Sequence, residues 1–264
     1  MEIPLKENAL EKQMFSSANV IKKTPTKEDE GVFVIILCES DDGMAFYKTE
    51  ICGKKICDWV GLACSDYDMT FIDIEKGENV LQKIKPLLRE KTWTLVLYGD
   101  TPLVKKKTIR EILAYARAKD CLTLNLVRGH VFKTDYVRGV LQIQNETIDQ
   151  ICETDFCICN SIGKIGKVTK VIRRQILKFH MENGVIIEDC KNTHIESDVI
   201  IEAGTVIEPF NVIKGKTYIA KNVKIESFCR LENCYIGENA VVSNCVIKGK
   251  KIPAGSQIML EKLV

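Results

Sequence analysis

The sequence predicts an α/β sheet domain followed by a stack of short parallel coils, and three observations carry that prediction. Between residues 31 and 127, apolar runs of strand length alternate with stretches of helical spacing, the pattern of a parallel α/β sheet. A basic segment of helical character then ends at a glycine, Gly184. Beyond it the apolar residues recur every six positions, a period that neither a helix nor a single strand sustains.

The elements follow in order. Residues 1–30 read as an N-terminal extension, with a short helix within 1–23 and the polar linker "KTPTKEDEG". The α/β domain is expected over 31–160. Its first strand is "GVFVIILCE", whose unbroken apolar character suits burial on both faces. The helix "KKICDWVGLAC", the strand "DMTFIDI", the helix "ENVLQKIKPLLRE" and the strand "TWTLVLYGD" come next. The helix "KKKTIREILAYARAKD" and the strand "CLTLNLV" complete the alternation. From about residue 141 the pattern loosens. "KVTKVIRRQILKFHMEN" is a basic connector helix, placed within 161–183, whose Lys170, Arg173 and Arg174 read as a solvated face.

Residues 184–264 form the coil domain. Ile195, Ile201, Ile207, Ile213, Ile219, Ile225 and Leu231 stand at strict six-residue intervals. The series continues with one-residue slips through Ile236, Val242, Ile247, Ile252 and Ile258. Small or polar pairs such as Ala203-Gly204, Lys221-Asn222 and Glu238-Asn239 fill the intervening turns. Short strands stacked in coils, each isoleucine in a shared inner column, account for this period. Three to four coils are expected.

Bulk properties exclude some classes. The 264 residues carry a net charge of +2, with 45% hydrophobic and 28% charged residues. That is a globular balance with no basic field for nucleic acid. No apolar run reaches bilayer-spanning length. The charged N-terminus lacks an apolar signal core, so the twelve cysteines are expected reduced in a cytoplasm. Cys152, Cys157 and Cys159 lack C-x-x-C pairing and a neighbouring histidine, which reads against zinc. His130, His180 and His194 are scattered and show no nucleophile–base pair.

The stretches "LVLYGDTPLV", "EICGKKICDWV", "VIRRQILKFHMENGVIIED" and "TVIEPFNVIKGKTYIAKNVKIESFCRLENCYIG" resemble the bifunctional N-acetylglucosamine-1-phosphate uridylyltransferase/acetyltransferase family. The resemblance spans roughly residues 31–260, as a truncated and divergent relative. It implies a doubly wound nucleotidyltransferase-like sheet, a left-handed parallel β-helix of hexapeptide repeats, and a homotrimer. It further implies that UTP, or a UDP-sugar, and a sugar 1-phosphate are the partners, with Mg2+ as cofactor. On that resemblance Tyr98, Gly99 and Asp100 touch the sugar nucleotide, Asp100 and Asn160 hold the metal, and Glu153 contacts the sugar. Magnesium asks for few protein ligands, because phosphate and water oxygens complete its octahedron. It would offset charge as pyrophosphate departs.

The departures bear on activity. Where the family has a phosphate loop rich in Gly, Thr, Arg and Lys, this sequence has "CESDDGMAFYKTE". One glycine, Gly43, stands there with four acids (Glu39, Asp41, Asp42 and Glu50) and no arginine. Lys48, its only cation, is the candidate for a catalytic phosphate contact. The uracil-reading glutamine and Gly-Thr pair are absent, Tyr136-Val137-Arg138 replaces a Tyr-Gly-Arg segment, and only four residues separate Asp155 from Asn160. Acetyltransferase activity is not expected. Two classes follow: a sugar-1-phosphate nucleotidyltransferase-like enzyme with activity reduced or lost, and a non-catalytic nucleotide-sugar-binding or trimeric scaffold relative.

Overall fold

The computed structural model describes residues 31–140 and 153–264. The N-terminal extension, its linker and the loosened stretch from residue 141 therefore lie wholly or largely outside the described residues. The described chain forms two compact units divided between Val168 and Thr169.

In the first unit, β1 (Val32–Ser40) has no side chain from Val32 to Leu37 more than 1% exposed. Two short strands, β2 (Glu50–Ile51) and β3 (Lys54–Lys55), pair antiparallel ahead of α1 (Ile56–Ala63). Asp58 accepts the Lys55 N–H at 3.3 Å and closes the first turn of α1. β4 (Asp68–Glu75) leads to α2 (Val80–Ile84), capped where the Asn79 side chain accepts from the Gln82 N–H. β5 (Trp93–Tyr98) precedes α3 (Lys106–Ala118), whose Ile109, Ile112, Leu113 and Ala116 form one buried face at helical spacing. β6 (Thr123–Leu126), β7 (Gly129–Lys133) and α4 (Thr134–Gly139) follow.

The sheet order is β4-β1-β5-β7-β6. β1 runs parallel to β4 and β5, but β7 runs antiparallel to both β5 and β6. The parallel α/β pattern holds for β4, β1 and β5, and the antiparallel β7 makes the whole sheet mixed. The β5–α3–β6 crossover leaves a gap, and the two-residue turn Val127-Arg128 returns β7 into it. Alternating β1 residues bury on opposite faces. Val32, Val34 and Ile36 join Val60 of α1 and Ile109 of α3, while Phe33, Ile35 and Leu37 join Leu81 and Ile84 of α2 and Val137 of α4. With helices on both faces, the sheet is doubly wound.

The long helix α5 (Ile162–Glu182) spans the boundary between the units and lies within the 161–183 expected for the connector. Gly184, at φ +84°, lets the chain leave it. Residues 186–263 then wind into parallel two- and three-residue strands stacked in three sheets, with five strands on two sides and four on the third. This is a left-handed parallel β-helix, one strand row deeper than the three to four coils expected. Ile195, Ile213, Leu231 and Ile247 form one inner column, each 0% exposed. Ile201, Ile219, Ile236 and Ile252 form a second and Ile207, Ile225 and Val242 a third. The one-residue slips shorten the coils. Ile207 pairs with Ile225 eighteen positions on, Ile225 with Val242 seventeen on, and Val242 with Ile258 sixteen on. Asn211 bridges coils, its amide donating to the Glu208 and Ile225 carbonyls and its oxygen accepting from the Cys229 N–H. Among the described residues no helix is long and apolar enough to cross a membrane.

Two stability predictions follow from the packing. Ile219→Ala, in a fully buried column, is expected to lower the unfolding free energy by about 2–5 kcal/mol, read by urea denaturation followed by circular dichroism. His180 on α5 is 1% exposed, its ring nitrogens have no hydrogen-bond partner among the described residues, and burial holds its pKa down at about 4. An unfolded histidine takes up its proton near 6.5, so stability should fall as pH drops from about 6.5 toward 4, by about 3 kcal/mol. His180→Phe should remove that part of the pH dependence in the same denaturation series.

Candidate functional site at the carboxyl edge of the sheet

Because β1 and β5 are buried on both sides, polar chemistry is left to the ends of these strands, where open α/β sheets carry ligands. β5 ends at Tyr98 and continues into Gly99 and Asp100, while the end of β1 supplies Glu39. The Gly99 N–H donates to the Leu37 carbonyl at 2.8 Å. A Cβ on Gly99 would stand 3.0 Å from the Cys57 Cβ and 3.4 Å from the Cys38 sulfur. Glycine is needed at that point because the backbone passes so closely.

The decisive group is one that the sequence reading missed. Arg128, in the two-residue turn before β7, donates from Nη2 to Asp100 Oδ2 at 3.0 Å and from Nε to Asp100 Oδ1 at 3.4 Å. The same Nη2 also donates to Glu39 Oε2. Its guanidinium lies 3.8 Å from the centre of the Tyr98 ring, a cation–π contact. The side chains of Arg128, Glu39 and Asp100 are only 24%, 21% and 12% exposed. Burial opposes the charge of Arg128, yet hydrogen bonds and charge from Asp100 and Glu39 outweigh it and raise its pKa further. Gly129 fixes the turn, since its φ is +144° and a Cβ there would stand 2.3 Å from the Val96 carbonyl oxygen. The cue available in sequence was an Arg-Gly pair between two short apolar runs, but its meaning depends on where β7 inserts.

The remaining candidates are placed as follows. The Cys159 N–H donates to the Asp100 carbonyl at 2.7 Å, which brings the segment before α5 to Asp100. Asn160 is exposed and its Oδ1 accepts from Lys164 Nζ at 3.0 Å. The Ser161 hydroxyl accepts the Lys164 N–H at 3.4 Å, in the capping position. Glu153 opens the 3-10 turn Glu153–Phe156, and its side chain lies outside what is described. In that turn Asp155 is buried and takes hydrogen bonds from Lys105 and Thr108. Lys48 is exposed, with its ammonium 5.3 Å from the Tyr47 ring centre.

The 41–49 loop folds on itself. The Asp41 and Met44 N–H groups pair with each other's carbonyls, and the Lys48 and Thr49 N–H groups donate to Ala45 and Phe46. Tyr47 donates to Asp73 at 2.5 Å, and Lys76 pairs with Asp41 at 2.6 Å. These four N–H groups are therefore taken within the loop and form no cradle for phosphate.

A magnesium ion does not fit the residues present. Both oxygens of Asp100 face the Arg128 guanidinium, and the oxygen of Asn160 faces the Lys164 ammonium. Each expected ligand thus meets a cation of the protein itself, and a dication beside it would be repelled. Among the described residues no group of three or more His, Cys, Asp or Glu converges as a metal site. The edge of the sheet is instead a closed ion network of one guanidinium and two carboxylates.

Arg128→Ala is expected to cost about 1–2 kcal/mol, less than for a fully buried pair because solvent screens part of the charge. Adding Asp100→Asn should recover part of that loss. Gly129→Ala should cost about 2–3 kcal/mol through backbone strain. Chemical denaturation of the three variants checks the order.

No family model matches the chain. It is similar to the bifunctional protein GlmU of Clostridium acetobutylicum, at 34% identity over 54% of this chain and 31% of that protein. The GlmU of Clostridium novyi is 38% identical over 48% of this chain and 28% of that protein. The GlmU of Clostridioides difficile is 30% identical over 58% and 32%. The matched part spans about a third of the length of these curated relatives. Over about half its length, this chain is similar to the GlmU proteins.

Proposed function

We propose that the chain is a sugar-1-phosphate nucleotidyltransferase-like protein of the GlmU lineage that no longer transfers a nucleotidyl group, and that it acts as a non-catalytic trimeric scaffold. The lineage reaction is the attack of N-acetylglucosamine 1-phosphate on UTP with release of pyrophosphate. The observation that carries the loss is the Arg128 guanidinium bound to both oxygens of Asp100. The cation held against both oxygens would repel a metal dication approaching the same carboxylate. The loop after β1 supports the same reading, since four of its N–H groups are taken within the loop and its acids would repel a triphosphate. The β-helix supports the scaffold part, as flat coil faces over isoleucine columns give broad rigid surfaces for association.

The retained Tyr98-Gly99-Asp100 edge favours a second reading in which transfer persists at a reduced rate. The two readings separate in one assay. With UTP, N-acetylglucosamine 1-phosphate and magnesium, pyrophosphate release by the full chain is expected at background, equal to that of Asp100→Ala. Release above background that Asp100→Ala abolishes would establish the second reading. A thermal shift with UDP-N-acetylglucosamine but no pyrophosphate would make the module nucleotide-sugar-binding. Light scattering is expected to return three times the mass of one chain, and a monomer would remove the scaffold.

A further inference from the structure

We propose that Cys38 and Cys57 form a redox-responsive dithiol behind the carboxyl edge of the sheet, closing to a disulfide under a peroxide-class oxidant. The inference does not depend on whether nucleotidyl transfer is retained. Cys38 stands near the end of β1 and Cys57 in the first turn of α1; both are free thiols, 4% and 6% exposed. They share a small apolar cluster with Tyr47 and Ala45, separate from the two main cores of the sheet. The two side chains meet beside Gly99 within that cluster, and the Cys57 thiol also reaches Asp58 Oδ1 at 3.8 Å. Gly99 makes that contact possible, because any Cβ there would press on the Cys57 Cβ at 3.0 Å and the Cys38 sulfur at 3.4 Å. A disulfide between them would bring the sulfurs to a bond length of about 2.05 Å.

The two cysteines are unequal, which sets the order of events. The neighbouring Cys38 thiol lowers the pKa of Cys57 below the ordinary thiol value, against burial and the nearby Asp58 carboxylate. The pKa of Cys38 is raised by the neighbouring Cys57 and by burial. Cys57 is therefore the attacking sulfur and Cys38 the resolving one. The Cys57 proton goes to solvent, and its thiolate attacks one oxygen of hydrogen peroxide. The S–O bond forms, the O–O bond breaks, and the departing hydroxide takes the Cys38 proton as water. The Cys38 sulfur then attacks the Cys57 sulfenic acid, the S–S bond forms, and the second hydroxide takes a proton from solvent. Two thiols and one peroxide give one disulfide and two waters. The bond would tie β1 to α1 immediately behind Glu39 and Gly99, the neighbours of the Arg128 network.

The test uses the full chain, treated with hydrogen peroxide, alkylated under denaturing conditions without reductant, and mapped by peptide mass spectrometry. A peptide linking Cys38 to Cys57 is expected, lighter by two hydrogens than the sum of its parts and lost on reduction. Cys57→Ser and Cys38→Ser should each reduce that linkage to background, while Cys64→Ser should leave it unchanged. Recovery of both cysteines singly alkylated after exposure that oxidises other thiols would overturn the proposal. Linkage of either to a different cysteine, or Cys57 recovered as sulfinic acid without linkage, would overturn it as well.

Discussion

The guanidinium of Arg128 lies between the carboxylates of Glu39 and Asp100, and the charge balance at the carboxyl edge of the sheet depends on it. Without that cation, β1 and β5, adjacent and parallel, would bring two negative side chains together in a half-buried setting. The Tyr98 ring beneath the guanidinium and the strained Gly129 beside it hold the cation in place. One contact between distant parts of the chain therefore decides both how the edge is stabilised and what it can bind.

That contact links fold to function. In an open α/β sheet the strand ends are the places where side chains escape the two packed faces, and here the escape route ends in an ion network. The β5–α3–β6 crossover leaves room for one more strand, β7 fills it, and its turn delivers Arg128 to Asp100. The loop after β1 closes through its own hydrogen bonds, so no second element opens the site toward phosphate. The sheet keeps a well-packed core on both faces.

Most of the fold was legible in the sequence because its signals are local and periodic. The strands at Val32–Ser40, Asp68–Glu75 and Trp93–Tyr98, the helices between them, and the inner isoleucines of the coils all announce themselves by spacing. Asp100 was legible as the acid that ends a buried strand. Arg128 was not, since its partners lie 28 and 89 positions away in sequence and only the non-local insertion of β7 brings them together. The antiparallel entry of β7 was hidden for the same reason. A strand pattern such as that of Thr123–Leu126 carries its own period but not the identity or direction of its neighbour. Asn160 shows the converse, with a position suited to two roles and a side chain given to Lys164.

The shortening of the coils from eighteen to seventeen to sixteen positions has a consequence for assembly of the stack. A perfectly uniform spiral could settle one layer out of step with little change in energy, because each rung would meet an equivalent mate. Here a misplaced rung would meet a mate of unequal span and leave surplus backbone bulging at the bend. Unequal spans therefore give each layer a single home, and the spiral carries its own proofreading against slippage.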